Sequence, residues 1–105
     1  MAWFYLLVAG ILEIVWAYTM KQSLGFSRLI PSLITVSTMV ASFWLLALAM
    51  QTIPLGTAYA IWTGIGAVGA FIVGIGFLAE PVSALRLVAI TLIVSGLVLL
   101  KVSSD

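Results

Sequence analysis

The sequence contains no cysteine and no histidine, and it has few charged residues of either sign. Without cysteine, disulfide bonds and thiolate metal sites are excluded. Without histidine, the chain lacks the commonest metal ligand, the commonest general base and any serine–histidine nucleophile system. Only two acidic residues remain besides Asp105, which are too few to assemble an enzyme active site. We therefore expect no enzyme, no bound metal and no cofactor.

Charged residues make up only 7% of the chain, and 65% of the residues are hydrophobic, with a mean hydropathy of +1.36. A soluble domain carries about 25% charged residues. This chain has too few polar groups to cover a water-facing surface, so the composition predicts a membrane protein in contact with lipid. The four basic residues are scattered and form no patch for nucleic acid, so we expect no nucleic-acid partner.

Three short polar breaks, "KQSLGFSR", "QTIPLG" and "EPVS", divide the chain into four apolar runs. Each run is close to the roughly 20 residues that a membrane-spanning helix needs. We predict an all-α protein with a single four-helix transmembrane domain over residues 1–105, with helices at about 2–20, 29–50, 57–79 and 84–102. The first run lacks the basic segment of a signal peptide and is predicted to remain as a helix. Because a bundle this small encloses little interior, we expect a homo-oligomer.

The distribution of Lys and Arg predicts only a weak preference for one membrane orientation. Lys21, Arg28 and Arg86 fall on one side of the predicted bundle, and Lys101 and the terminal amine fall on the other. The chain could insert in a single orientation, with its first loop in the cytoplasm, or in both orientations.

Glu13 lies near the centre of the first predicted helix, within the stretch "GILEIVWAY". An ionisable residue at this depth is costly and marks a candidate functional site. The alternative is a glutamate that stabilises packing by a hydrogen bond to a neighbouring helix. An apolar environment favours the protonated carboxyl group, whereas a bound cation favours the carboxylate. One group that holds either a proton or a cation is sufficient for proton-coupled exchange.

Helical spacing places Gly10 and Trp16 beside Glu13, because each lies three residues away from it. The missing side chain of Gly10 is expected to leave room for a ligand or a close neighbouring helix. Trp16 offers an indole N–H to the carboxylate and an aromatic face to a cation.

The second predicted helix carries a stripe of hydroxyl groups, formed by Thr35, Thr38 and Ser42. Hydroxyl groups in membrane helices often bond to the carbonyl four residues earlier, and we expect this of Thr35 and Thr38. Ser42 lies near the middle of the membrane and is the better site candidate. Met39 and Phe43 flank the stripe and are predicted to line the site or its opening to the membrane.

Two aromatic residues of the third predicted helix, Tyr59 and Trp62, share one face. Their O–H and N–H groups need partners in hydrocarbon, and Glu13 is the natural acceptor. The alternative is that both rings only pack between helices.

The segment "GIGAVG", residues 64–69, matches a dinucleotide-binding pattern, but no strand precedes it and no helix starts there. In a membrane helix, Gly64, Gly66 and Gly69 instead allow close helix contacts and bending.

These motifs resemble those of the small multidrug resistance transporters along the whole chain. The resemblance rests on the four short helices, the central glutamate, "GFSRL" at 25–29, "PSLIT" at 31–35 and "PLGTAYAIWTGIG" at 54–66. Within that family the chain is similar to the guanidinium exporters, through "GILEIVW" at 10–16, "WTGIGA" at 62–67 and Lys101. Relatives that export drugs typically have a smaller residue in place of Trp16 and "WSG" in place of "WTG".

The resemblance implies an antiparallel, dual-topology homodimer in the bacterial inner membrane, with one site shared by two copies of Glu13. It implies that Glu13 binds the proton and the substrate, and that Trp16, Ser42 and Trp62 are its hydrogen-bond neighbours. It further implies that Tyr59 changes partners between conformational states. The expected function is proton-coupled export of guanidinium, or of small guanidinyl or alkylammonium cations, by alternating access.

Two alternatives remain open from the sequence. The first is a broader exporter of quaternary ammonium and multidrug cations, which Trp16 opposes because its bulk should crowd out large substrates. Substrates with a single apolar tail could still extend toward Met39 and Phe43. The second alternative, from a different class, is a passive cation channel or a membrane assembly subunit.

Overall fold

The structure is a computed structural model that describes residues 1–104, and its regular elements in that range are four α-helices. They are α1 (Ala2–Gln22), α2 (Leu29–Ala49), α3 (Leu55–Phe77) and α4 (Ala84–Ser104). All four are long and apolar enough to cross a membrane. A helix of 21 residues rises about 31 Å, which matches a hydrocarbon core of about 30 Å. The predicted all-α membrane fold with four spans is confirmed.

The helix ends differ from the predicted ends by up to two residues. α1 continues to Gln22, and α3 begins at Leu55 and ends at Phe77. Pro54 directly precedes the first turn of α3, where a missing N–H costs nothing. Ala79 has a φ of 55°, and a left-handed residue of this kind terminates a helix.

The connection between α1 and α2 is tight and is organised by Ser23, which is fully buried. The Ser23 hydroxyl donates to the Met20 carbonyl at 2.7 Å and accepts the Phe26 N–H at 3.0 Å. Gly25, with a φ of 75°, lies between two other left-handed residues, Leu24 and Phe26. The tight connection makes α1 and α2 an antiparallel hairpin, in which residues at equal distances from the loop face each other.

α1 is the central helix, since it packs along both α2 and α3. Within residues 1–104, the backbone of α4 approaches only that of α3, and the side chain of Lys101 reaches α1, where its Nζ lies 4.7 Å from the centre of the Trp3 ring. The α4 span Ala84–Ser103 contains no buried residue. The buried apolar side chains therefore come from the other helices and the α2–α3 connection: Leu6, Ala9, Leu46, Ala49, Ile53, Ala58, Ile61 and Trp62.

The Cα atoms extend 42 × 35 × 16 Å. Because Cα atoms lie about 2.3 Å from a helix axis and packed helix axes are about 8–10 Å apart, a Cα extent of 16 Å corresponds to a layer about two helices thick. A layer this thin cannot surround a charged group on every side.

Candidate binding site

Glu13 lies at the middle of α1, with its carboxyl group against Gly66 of α3. A Cβ atom at Gly66 would overlap the carboxyl group, so the glycine provides the space that the carboxyl group occupies. Glu13 Oε1 is buried and has no hydrogen-bond partner within residues 1–104. A buried polar atom without a partner is costly. The position therefore suits a group that binds a proton or an N–H donor.

A chain of two hydrogen bonds joins three helices beside this carboxyl group. The Trp62 indole Nε1 donates to Ser42 Oγ at 3.0 Å, and Ser42 Oγ donates to the Ala9 carbonyl at 2.7 Å. The expectation that Trp62 donates to Glu13 is wrong, because Ser42 is the acceptor. Ala9 lies one helical turn before Glu13, so the chain of bonds holds the backbone that carries the carboxyl group.

Aromatic rings form a wall that continues from this network across α1, α2 and α3. The centre of the Phe43 ring lies 6.3 Å from that of the Trp16 ring and 5.7 Å from that of the Trp62 ring, and both pairs are nearly edge to face. The Tyr59 ring lies 5.7 Å from Trp62. Tyr59 and Phe43 are about half exposed, at 53% and 47%. The structure thus brings four of the predicted aromatic residues together.

Trp16 does not make the expected hydrogen bond to Glu13. Its Nε1 is buried and has no partner in the part of the chain that the structure describes. The site therefore contains one unpartnered acceptor atom, on Glu13, and one unpartnered donor atom, on Trp16, both on α1.

The predicted glycines lie at close contacts between helices. At Gly10, a Cβ atom would come within 2.7 Å of Ile65 Cγ2, so Gly10 lets α1 and α3 approach and leaves less room for a ligand than expected. Two glycines of α3 serve other contacts in the same way, since Gly69 faces Ile14 of α1 and Gly64 faces Leu97 of α4. Met39 is partly buried on the same helix as Phe43.

The hydroxyl groups of α2 follow the prediction and add one contact that it missed. Thr35 donates to the Pro31 carbonyl at 2.8 Å and Thr38 donates to the Ile34 carbonyl at 2.7 Å, which confirms the expected bonds within the helix. Thr35 Oγ1 also lies 2.7 Å from Thr19 Oγ1 of α1. Thr19 lies three residues before the end of α1 and Thr35 lies six residues after the start of α2. Their contact depends on how the two helices pack, and their unequal distances from the loop gave no signal for it in the sequence.

Comparison with known proteins agrees with this arrangement. Residues 1–93 match the family model described as Small Multidrug Resistance protein. A protein of Salmonella typhimurium named "Guanidinium exporter" is 58% identical to the chain over 99% of both sequences. Proteins of Escherichia coli and Citrobacter freundii with the same name are 55% and 54% identical over the same shares. With four membrane-spanning helices around a central glutamate, and a match of this extent, the chain belongs to the small multidrug resistance family.

Proposed function

We propose that this protein exports guanidinium in exchange for protons, and that it acts as an antiparallel homodimer. The observation that carries the proposal is the buried Glu13 Oε1, which has no hydrogen-bond partner in residues 1–104 and lies at the middle of a membrane-spanning helix. The relatives named "Guanidinium exporter" match the chain over almost its full length, which supports the same substrate.

The chemistry of guanidinium fits the groups that surround Glu13. The ion is planar, stays charged at physiological pH and can donate two parallel N–H bonds to one carboxylate. Trp16, three residues after Glu13 on α1, and the Phe43 ring that packs against it offer aromatic surfaces to which a planar cation is attracted. We infer that Trp16 limits the site to small cations, because its bulky side chain lies three residues from Glu13, about one turn away on the same helix.

Coupling to protons follows from competition for one carboxyl group. Glu13 holds either a proton or a guanidinium ion, so the release of one permits the binding of the other. If the site opens alternately to the two sides of the membrane, each cycle exchanges the two ions. We further propose that Gly64, Gly66 and Gly69 allow α3 to bend during this change.

A homodimer would supply the walls that a single chain lacks. The Cα layer is 16 Å thick, and α4 presents apolar side chains such as Leu85, Leu92 and Leu99 on its exposed surface. The weak Lys and Arg bias permits insertion in both orientations. Two antiparallel copies would place two Glu13 carboxyl groups in one site, surrounded by protein.

The first prediction concerns Glu13→Gln, measured as transport current in proteoliposomes that receive pulses of guanidinium or tetraethylammonium. We expect a guanidinium current in the wild type that disappears in Glu13→Gln, because the amide cannot carry the exchanged proton. Glu13→Asp is the matched variant, since it keeps a carboxyl group and should keep proton-coupled current, at a lower level.

Each of the other functions predicts a different result. A strong tetraethylammonium current in the wild type would favour the broader multidrug exporter. A guanidinium current that persists in Glu13→Gln, or that flows without proton counter-movement, would contradict the antiporter and favour a channel.

The second prediction concerns pH. Because protons and guanidinium compete for Glu13, lowering the pH on the guanidinium side should raise the KM for guanidinium while the maximal rate at saturating guanidinium changes much less. Initial rates at several guanidinium concentrations and pH values would measure this. A KM that is independent of pH would show that the two ions do not share one group.

A further inference from the structure

The side chain of Arg86, near the start of α4, is bound by three groups of its own chain. Its Nη1 donates to the Pro81 carbonyl at 2.7 Å, and its Nη2 lies 3.9 Å from Glu80 Oε1. Its Cζ lies 5.3 Å from the centre of the Phe71 ring. A carbonyl, a carboxylate and an aromatic face are together the groups that bind a free guanidinium ion. We name Phe71, Glu80 and Pro81 the peripheral cage.

The cage is held in place by the end of α3. The Glu80 N–H donates to the Gly74 carbonyl at 3.0 Å, and the Glu80 carboxyl group packs directly over Gly74. A Cβ atom at Gly74 would collide with that carboxyl group. The end of α3 therefore contributes to the position of the carboxylate, in addition to its contact with Arg86.

The cage opens into a cleft of about 400 Å³ between α1, α3 and α4. Lys21, Glu80 and Arg86 line the part of this cleft at the helix ends, whereas Ile14 and Ala67 line the part nearer the helix centres. Ile14 and Ala67 directly follow Glu13 and Gly66 in sequence. The cleft thus leads from the cage toward the backbone that carries the central site.

Arg86 is not locked in the cage. Its side chain and that of Glu80 are 41% and 40% exposed, and exposed ion pairs of this kind are weak. A soluble guanidinium ion can therefore compete with the tethered one.

We propose that the peripheral cage is a second guanidinium-binding site, in which Arg86 is an intramolecular competitor that free guanidinium displaces on its way to or from Glu13. The role in transport rests on the proposed function, whereas binding to the cage does not. Lys21 lines the same cleft, and its positive charge opposes an additional cation. Exchange with Arg86 is thus favoured over simple addition, because the cage then holds one cation throughout.

Binding of radiolabelled guanidinium to the full chain in detergent micelles tests the proposal, with Glu13→Gln as the background so that the central carboxylate does not contribute. Adding Arg86→Met should tighten the apparent Kd by about two- to sixfold, because the competitor is removed. Lys21→Met is the matched control, which removes a cation of the same cleft without emptying the cage, and its effect should be smaller. Adding Glu80→Gln to Arg86→Met should abolish the gained binding.

A second measurement avoids any change at Arg86. In the Glu13→Gln protein, guanidinium should shift the NMR signal of the Arg86 side-chain N–H as the ion displaces it, whereas tetramethylammonium, which has no N–H donors, should not. An unmoved Arg86 signal, or equal guanidinium binding by Arg86→Met and its parent, would overturn the proposal. Neither result would contradict the proposed transport function, which rests on Glu13. Conversely, a wild type that transports no guanidinium would contradict the proposed function and the role of the cage in transport, whereas the binding and NMR measurements above would still decide whether the cage binds guanidinium.

Discussion

The carboxyl group of Glu13 occupies the volume that a side chain at Gly66 would fill, and this pairing sets the position of the charge in the membrane. The nearby hydroxyl of Ser42 does not bind the carboxyl group directly. It holds the Ala9 carbonyl and the Trp62 indole instead. The Glu13 carboxyl group is therefore positioned by packing and by the backbone of α1, which leaves Oε1 available for a ligand.

Trp16 is the residue at which we expect substrate range to be decided. Trp16→Gly should raise the transport rate of tetraethylammonium relative to guanidinium by about tenfold or more, because removing the ring enlarges the space beside Glu13. Paired current measurements in proteoliposomes give this ratio. Trp44→Gly is a matched control. Trp44 is 65% exposed, so this substitution removes the same side-chain volume from the outer surface of the protein. An unchanged ratio in Trp16→Gly would show that Trp16 does not limit the site.

The sequence predicted that Ser42 and Trp62 face the interior better than it predicted their hydrogen bonds. Helical spacing and hydropathy are local properties, so they placed Ser42 and Trp62 on inward faces correctly. The choice of hydrogen-bond acceptor for Trp62 depends on how far α2 and α3 lie from α1. That distance is set by contacts such as Gly10 with Ile65, which join segments far apart in sequence.

For α3, too, the sequence predicted local properties of the helix but not its contacts with other helices. Its apolar composition predicted a membrane span at about 57–79. In the structure both ends lie two residues earlier, because Pro54 directly precedes the first turn and the left-handed Ala79 follows the last. Gly64, Gly66 and Gly69 were predicted to allow close contacts, and a Cβ atom at each of them would collide with a side chain of another helix. Their partners, on α1 and α4, could not be read from the pattern because each partner belongs to another helix.

Two glycines of α3 make a matched pair for testing this packing. Gly66→Ala should reduce guanidinium transport strongly and destabilise the protein by about 1–3 kcal/mol, because its Cβ would displace the Glu13 carboxyl group. Gly76→Ala, where no atom lies within 4 Å of the added Cβ, should change stability by no more than about 1 kcal/mol. Thermal unfolding in detergent and proteoliposome transport measure the two effects. Equal behaviour of the two variants would contradict the close contact at Gly66.

As a whole, the molecule is a multi-pass protein of the inner membrane, belonging to a family of transporters rather than enzymes. Composition alone predicted the membrane environment. The structure agrees with it, because α2 and α4 expose large apolar side chains that suit contact with lipid. The thickness of the layer was not predictable in detail, because it depends on α4 lying at the edge of the bundle, where its backbone approaches only that of α3 within residues 1–104.

A single chain, only 16 Å thick, would need a second copy to enclose its site, and this need has a genetic consequence. In the proposed dimer every site is built from two copies of the chain, so a defective copy would inactivate the intact copy with which it pairs. In cells producing wild type and Glu13→Gln in equal amounts, random pairing would leave about a quarter of the dimers with two intact carboxyl groups. We expect the guanidinium efflux rate of such cells to fall well below half of the rate with wild type alone, at equal total protein. A rate of half would mean that each chain works independently, whereas a lower rate would make the mutant allele dominant.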